Sequence, residues 1–221
     1  GHTRNNMIQQ AIVRLLLPVI LAILSCNNPS PGDQHTHPDT LAVAERADII
    51  PAGLPAPDEL SVFVPEHYSI LDTAAGDLNQ DKKDDLILVL KRNGEDTLVN
   101  TGEPDRPLLI LIRDNHNRLQ QVRRNDNTVY CIGCGGIMGD PYVGIVIRNG
   151  YFSVEHYGGS AWRWTRIITY KYVAADQEWY LHKDGSESFH ASEPDKIKIT
   201  IRSTRDFGNI KFEDFDIYED R

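Results

Sequence analysis

The chain has 221 residues, of which 40% are hydrophobic and 25% charged, and a formal net charge of −9. That length suits one domain with a tail, and the balance of apolar and charged residues excludes wholesale disorder and a multi-span membrane protein. An excess of 32 acidic over 23 basic side chains also excludes a nucleic-acid binder, because phosphate recognition needs clustered Lys and Arg.

The N-terminal stretch differs in kind from the rest. Translation is expected to start at Met7, and Arg14 then precedes an uncharged apolar run from Leu15 to Ser25. A transmembrane helix needs about 20 apolar residues, so this run is too short for a permanent span. A basic n-region, a short apolar h-region and a small residue at the end mark residues 1–25 as a secretory signal peptide. Ile23-Leu24-Ser25-Cys26 resembles the lipobox of bacterial lipoproteins. The resemblance implies cleavage before Cys26, acylation of that cysteine, and a protein anchored by lipid to the periplasmic side or outer membrane of a bacterial envelope. Loss of Arg4 and Arg14 leaves the mature chain more acidic still, so the lipid must do the anchoring, and stable attachment takes more than one acyl chain. Residues 26–58 follow as a flexible tether punctuated by Pro29, Pro31, Pro38, Pro51, Pro55 and Pro57.

From residue 59 to 221 the pattern predicts one compact, mainly β domain: an antiparallel meander or sandwich-like sheet with hairpins. Leu86–Leu90 and Leu108–Ile112 are short continuous apolar runs, as in strands buried on both faces. Asp114-Asn115-His116-Asn117 is turn chemistry, and Leu119–Arg123 resumes as a strand. Val143, Ile145 and Ile147 alternate up to Asn149-Gly150, a strong hairpin signal whose partner strand is Tyr151–Tyr157. Trp162–Val173 is a long alternating strand, followed by a turn at Ala174–Gln177 and a strand at Trp179–His182. Ile197, Ile199 and Ile201 alternate with polar residues as a half-exposed strand. Past Asp58 there is no sustained apolar stripe of helical period.

The most informative stretch is Gly76–Leu86. Asp77, Asn79, Asp81 and Asp85 place oxygen side chains at loop positions 1, 3, 5 and 9, and Lys83 offers its carbonyl at position 7. Ca²⁺ takes six to eight oxygens, and alternating side chains of a tight loop can converge on one point. Two features depart from an EF-hand: Lys82 stands where the sharp turn wants glycine, and Leu88 stands where a bidentate Glu would be. The alternative is a solvated acidic turn leading into a strand. The stretch resembles the calcium loops of FG-GAP/VCBS repeats and the first half of dockerin and EF-hand loops. With Val64–Asp72, Pro107–Asp114, Asp140-Pro141, Gly158–Trp164 and Trp179–Leu181, the chain resembles bacterial secreted or lipid-anchored proteins carrying a single FG-GAP-like loop. That resemblance implies a calcium site and supplies no activity.

Cys131 and Cys134 are the two thiols left once Cys26 is acylated, and in an oxidising compartment they are expected to form a disulfide. A zinc site would need two further ligands from His156, His182 or His190, which no spacing selects. Gly133, Gly135, Gly136 and Gly139 fit neither phosphate-loop spacing and instead suit a tight loop with positive φ. Trp162, Trp164, Tyr170 and Tyr172 share one face of a strand, read as core, with a sugar or peptide platform as the alternative. Gly158-Gly159-Ser160-Ala161-Trp162 lacks the closing glycine of a nucleophile elbow, and HExxH is absent. The expectation is a lipid-anchored, calcium-binding β-domain without catalysis, with an unknown protein or glycan partner. Two other classes stay open. One is an inhibitor or immunity-type protein presenting its acidic surface to a basic exported enzyme; the other is a hydrolase assembled from distant residues.

Overall fold

The computed structural model describes residues 57–97 and 105–219. The expected signal peptide, Cys26 and nearly all of the tether lie outside the described residues. Among the described residues nine strands form two antiparallel meanders: β1 (Tyr68–Gly76), β2 (Asp85–Arg92), β3 (Leu108–Arg113) and β4 (Leu119–Asn125), then β5 (Tyr142–Arg148), β6 (Tyr151–Gly159), β7 (Trp162–Val173), β8 (Glu178–His190) and β9 (Lys198–Ser203). Two short helices, α1 (Pro57–Ser61) and α2 (Thr204–Phe207), flank the strands. No helix among the described residues is long and apolar enough to cross a membrane.

The mainly β, antiparallel fold is as the residue pattern predicts, and its two apolar runs are explained by burial on both faces. Ile87, Val89, Leu108 and Ile110 turn one way and meet Phe152, Val154, Ile168, Tyr170 and Leu181 of the second sheet in a shared core. Leu86, Leu88, Leu90, Leu109 and Leu111 turn the other way and pack with Leu60, Phe63 and Val64. A strand that feeds two cores has no polar face to alternate with. The C-terminal segment closes the shared core with Phe212, Phe215 and Ile217. Asn125, buried, holds that segment by donating its amide to the carbonyls of Phe212 and Phe215.

Local chemistry sets the turns. Asn149 and Gly150 have φ of 52° and 73°, the doubly left-handed pair that a two-residue hairpin with right-handed twist requires. The β6–β7 hairpin instead depends on Gly159, φ 116°, where a Cβ would stand 2.0 Å from the Trp162 carbonyl oxygen. β1 has no strong period-two signal and is not marked as a strand by its sequence; it pairs with β2 along its length, with a bulge near Leu71. β8 runs well past His182, with an irregularity there that resets its register against β7. The Ile197–Ile201 stretch forms the edge strand β9, with Ile199 53% and Ile201 50% exposed.

Candidate functional site

The loop between β1 and β2 is built at the seam where the two sheets meet. Gly76 ends β1 and has no Cβ, so Ile147 of β5 comes within 2.7 Å of where one would be. Tyr142 of β5 donates its hydroxyl to Asp72 at 2.8 Å, a second tie across the same seam. The loop itself is gripped from the second sheet. Gly150 N–H donates to the Asp77 carbonyl, Gln80 donates to the Asn149 carbonyl, and the Trp179 indole donates to the Leu78 carbonyl at 3.2 Å. Leu78, fully buried, anchors the loop in the shared core.

Within the loop the side chains fold back on the backbone. Asp77 accepts the N–H groups of Asp81 and Lys82, Asn79 accepts that of Asp81, and Asp81 accepts that of Lys83. Gln80 and Lys82 adopt φ of 65° and 69°, so position 6 takes the left-handed conformation expected of glycine even though it is lysine. The carboxylates of Asp77, Asp81 and Asp85 lie within 4.8 Å of one another.

Asp85 differs from the other two in being buried. One of its oxygens accepts Leu78 N–H at 3.0 Å and the other accepts Arg113 N–H at 2.9 Å, so it pins the loop to β3. Burial pushes its carboxyl up to about 6; the two N–H groups pull the other way, while Asp81 and Asp77 add to the rise. The donor set is all hard oxygen, as Ca²⁺ prefers, and each carboxylate oxygen in an N–H bond keeps a second lone pair. Lys83 departs from expectation in one respect: its ammonium reaches Asp114 and Asn115 and lies 3.8 Å from Asp81, a built-in competitor for a cation.

Other residues singled out in the sequence fall as follows. Cys131 and Cys134 are joined to each other, with Cα atoms 5.2 Å apart, so neither sulfur is free for zinc. Cys131 caps, and Cys134 lies within, a 3-10 segment, Ile132–Met138, kinked at Gly136, where the sequence suggested only a loop; Gly136 and Gly139 have positive φ. The aromatic stripe of β7 divides: Tyr170 is core and Tyr172 packs against it, whereas Trp164 is partly exposed and Trp162 is 60% exposed. Gly158 serves packing, since a Cβ there would stand 2.5 Å from the Trp164 ring.

Residue patterns missed two polar clusters. Arg106 is fully buried and reaches Glu95, Asp140 and the Tyr130 carbonyl; no single-sequence signal marks it. Arg166 lies 5.8 Å over the Tyr130 ring and also forms a paired contact with Asp184. No family model, curated protein or solved structure matches the chain.

Proposed function

We propose that the protein is an exported, lipid-anchored β-domain whose Asp77–Asp85 loop holds one Ca²⁺, and that it works by binding rather than by catalysis. One observation carries the calcium reading: Asp77, Asp81 and Asp85 bring three carboxylates within 4.8 Å of one another. Such proximity is repulsive without a cation. The loop also touches β3, the β5–β6 hairpin and Trp179, so an ion there would act as a strut across both sheets rather than as a surface ornament. Missing the position-12 Glu, the site is expected to bind in the range of extracellular modules, about 10⁻⁴–10⁻³ M.

Thermal unfolding of the full chain in detergent, with EDTA, Mg²⁺ or Ca²⁺, tests the reading. Saturation at 100 times the dissociation constant adds about 2.7 kcal/mol, which raises the midpoint by about 5–10 °C in a domain of this size. Asp81→Ala should abolish the calcium response. A wild-type midpoint indifferent to Ca²⁺ well above millimolar would leave the loop as a self-satisfied turn.

A further inference from the structure

β7 and β8 run 12 and 13 residues, longer than any strand of the facing sheet. Where they overhang, the inner face changes character. Along one row, Arg166 stands opposite Ser186 and Thr200; along the next, Ile168 stands opposite Asp184 and Arg202. Arg166, Asp184, Ser186, Thr200 and Arg202 line a cavity of about 560 Å³, closed on another side by Tyr130, Ile217, Tyr218 and Glu219. Its size is that of a small-molecule site.

The polar wall is fixed before any ligand arrives. Asp184, buried, accepts Arg166 Nε and Nη2 at 3.0 Å each and Arg202 Nη2 at 2.7 Å. Arg166 also donates from Nη1 to the Tyr130 hydroxyl at 2.6 Å and to the Ile217 carbonyl at 2.8 Å. A half-buried guanidinium held on three sides has no freedom left to lose on binding. Facing the cavity are two guanidiniums (Arg166, Arg202) and two carboxylates (Asp184, Glu219), so formal charges balance and a strongly charged ligand gains little. Ser186 and Thr200 add hydroxyls that both donate and accept. Tyr218 is 44% exposed, and the β7 face that carries Arg166 continues to Trp162, 60% exposed and four residues away, or about 13 Å.

We infer that this cavity and the strand face leading to Trp162 bind a short, neutral oligosaccharide. Vicinal sugar hydroxyls match a wall of mixed donors and acceptors, and the apolar C–H face of a pyranose matches an exposed ring. Arg166 and Trp162 stand four residues apart on one strand face, about 13 Å, a span that calls for a chain of sugars rather than one. This inference does not depend on the calcium loop.

The test is a printed array of neutral and acidic oligosaccharides probed with the full chain in detergent and EDTA, followed by calorimetric titration of the best-retained soluble glycan. Thr200→Val and Trp162→Ala, both at exposed positions, should keep the unfolding midpoint and each weaken binding about three- to tenfold. Ile199→Ser on the opposite face should leave affinity unchanged. The inference is overturned if the array retains nothing, or if both variants bind as the wild type does. It is equally overturned if inorganic phosphate binds at this wall while neutral glycans do not.

Discussion

Removing Arg106 should be among the most damaging single changes in this protein. Its guanidinium is fully buried, bonded to Glu95, itself buried, and to both oxygens of Asp140 at 2.7 Å. Burial alone would disfavour its charge, but hydrogen bonds to Asp140 and Glu95 outweigh that and push its pKa above the ordinary range. Arg106→Met leaves the Glu95 carboxylate in the interior without a partner. Breaking such a pair from one side costs about 3–5 kcal/mol, whereas replacing both partners can be nearly neutral. The loss corresponds to a midpoint lowered by about 6–20 °C for a domain of this size. Urea unfolding at pH 7 of Arg106→Met, Glu95→Gln and the double variant gives the coupling directly. Glu95→Gln should recover part of the loss in the Arg106→Met background while being destabilising on its own. A single variant within 1 kcal/mol of wild type, or a double variant as unstable as the sum of the two, refutes the reasoning.

Further outcomes follow from other sites. His156 is buried, and burial pulls its imidazole down to about 4 from 6.5, so below pH 6.5 the unfolded chain takes up a proton the native state refuses. This residue's share of stability should therefore fall by about 2 kcal/mol between pH 7 and pH 5. The pH dependence of urea unfolding should lose that share in His156→Gln, and equal slopes would count against it. Gly159→Ala meets both a positive φ and the Trp162 carbonyl, and calorimetry should show a loss of at least 2 kcal/mol. Cys26→Ser should move the protein from the membrane to the soluble fraction, and an unchanged distribution with an unmodified N-terminal peptide rules out the lipid anchor.

Much of the fold was legible because its signals are local. Alternation located β5, β6 and β7, the continuous runs at Leu86 and Leu108 located strands buried on both faces, and Asn149-Gly150 located a hairpin. β1 was missed because Asp72-Thr73-Ala74-Ala75-Gly76 has small and polar residues on both faces; it is a strand because β2 pairs with it, and because β5 needs small residues beside it. The same limit applies to function. Asp77, Asn79, Asp81 and Asp85 could be picked out since the loop positions are consecutive in the chain. The wall of Arg166, Asp184 and Arg202 could not, since it exists only after β7, β8 and β9 have taken their register. Arg106, Glu95 and Asp140 are similarly scattered, and a buried arginine looks like any other in the sequence.

The seam between the sheets suggests why so many polar groups concentrate at one place. Apolar burial between two faces is strong but non-directional, and it would tolerate sliding of one meander over the other. Hydrogen bonds do not tolerate it. Asp72 with Tyr142, the Asp77 carbonyl with Gly150, Gln80 with Asn149, and Arg106 with Asp140 each tie the first meander or its connections to the start of the second. Asp77 and Gln80, the loop's own members of that set, belong to the acidic loop. An ion bound there would stiffen the loop and, through it, the relative position of the sheets. Asp85 is buried and already spans from Leu78 to Arg113, and the remaining carboxylates accept N–H groups of their own loop, so an ion among them would have little room for a substrate. On this reasoning an ion in the loop would serve stability, and the proposed recognition would fall to β7–β9, where hydrogen bonds hold the wall and Trp162 and Tyr218 are exposed.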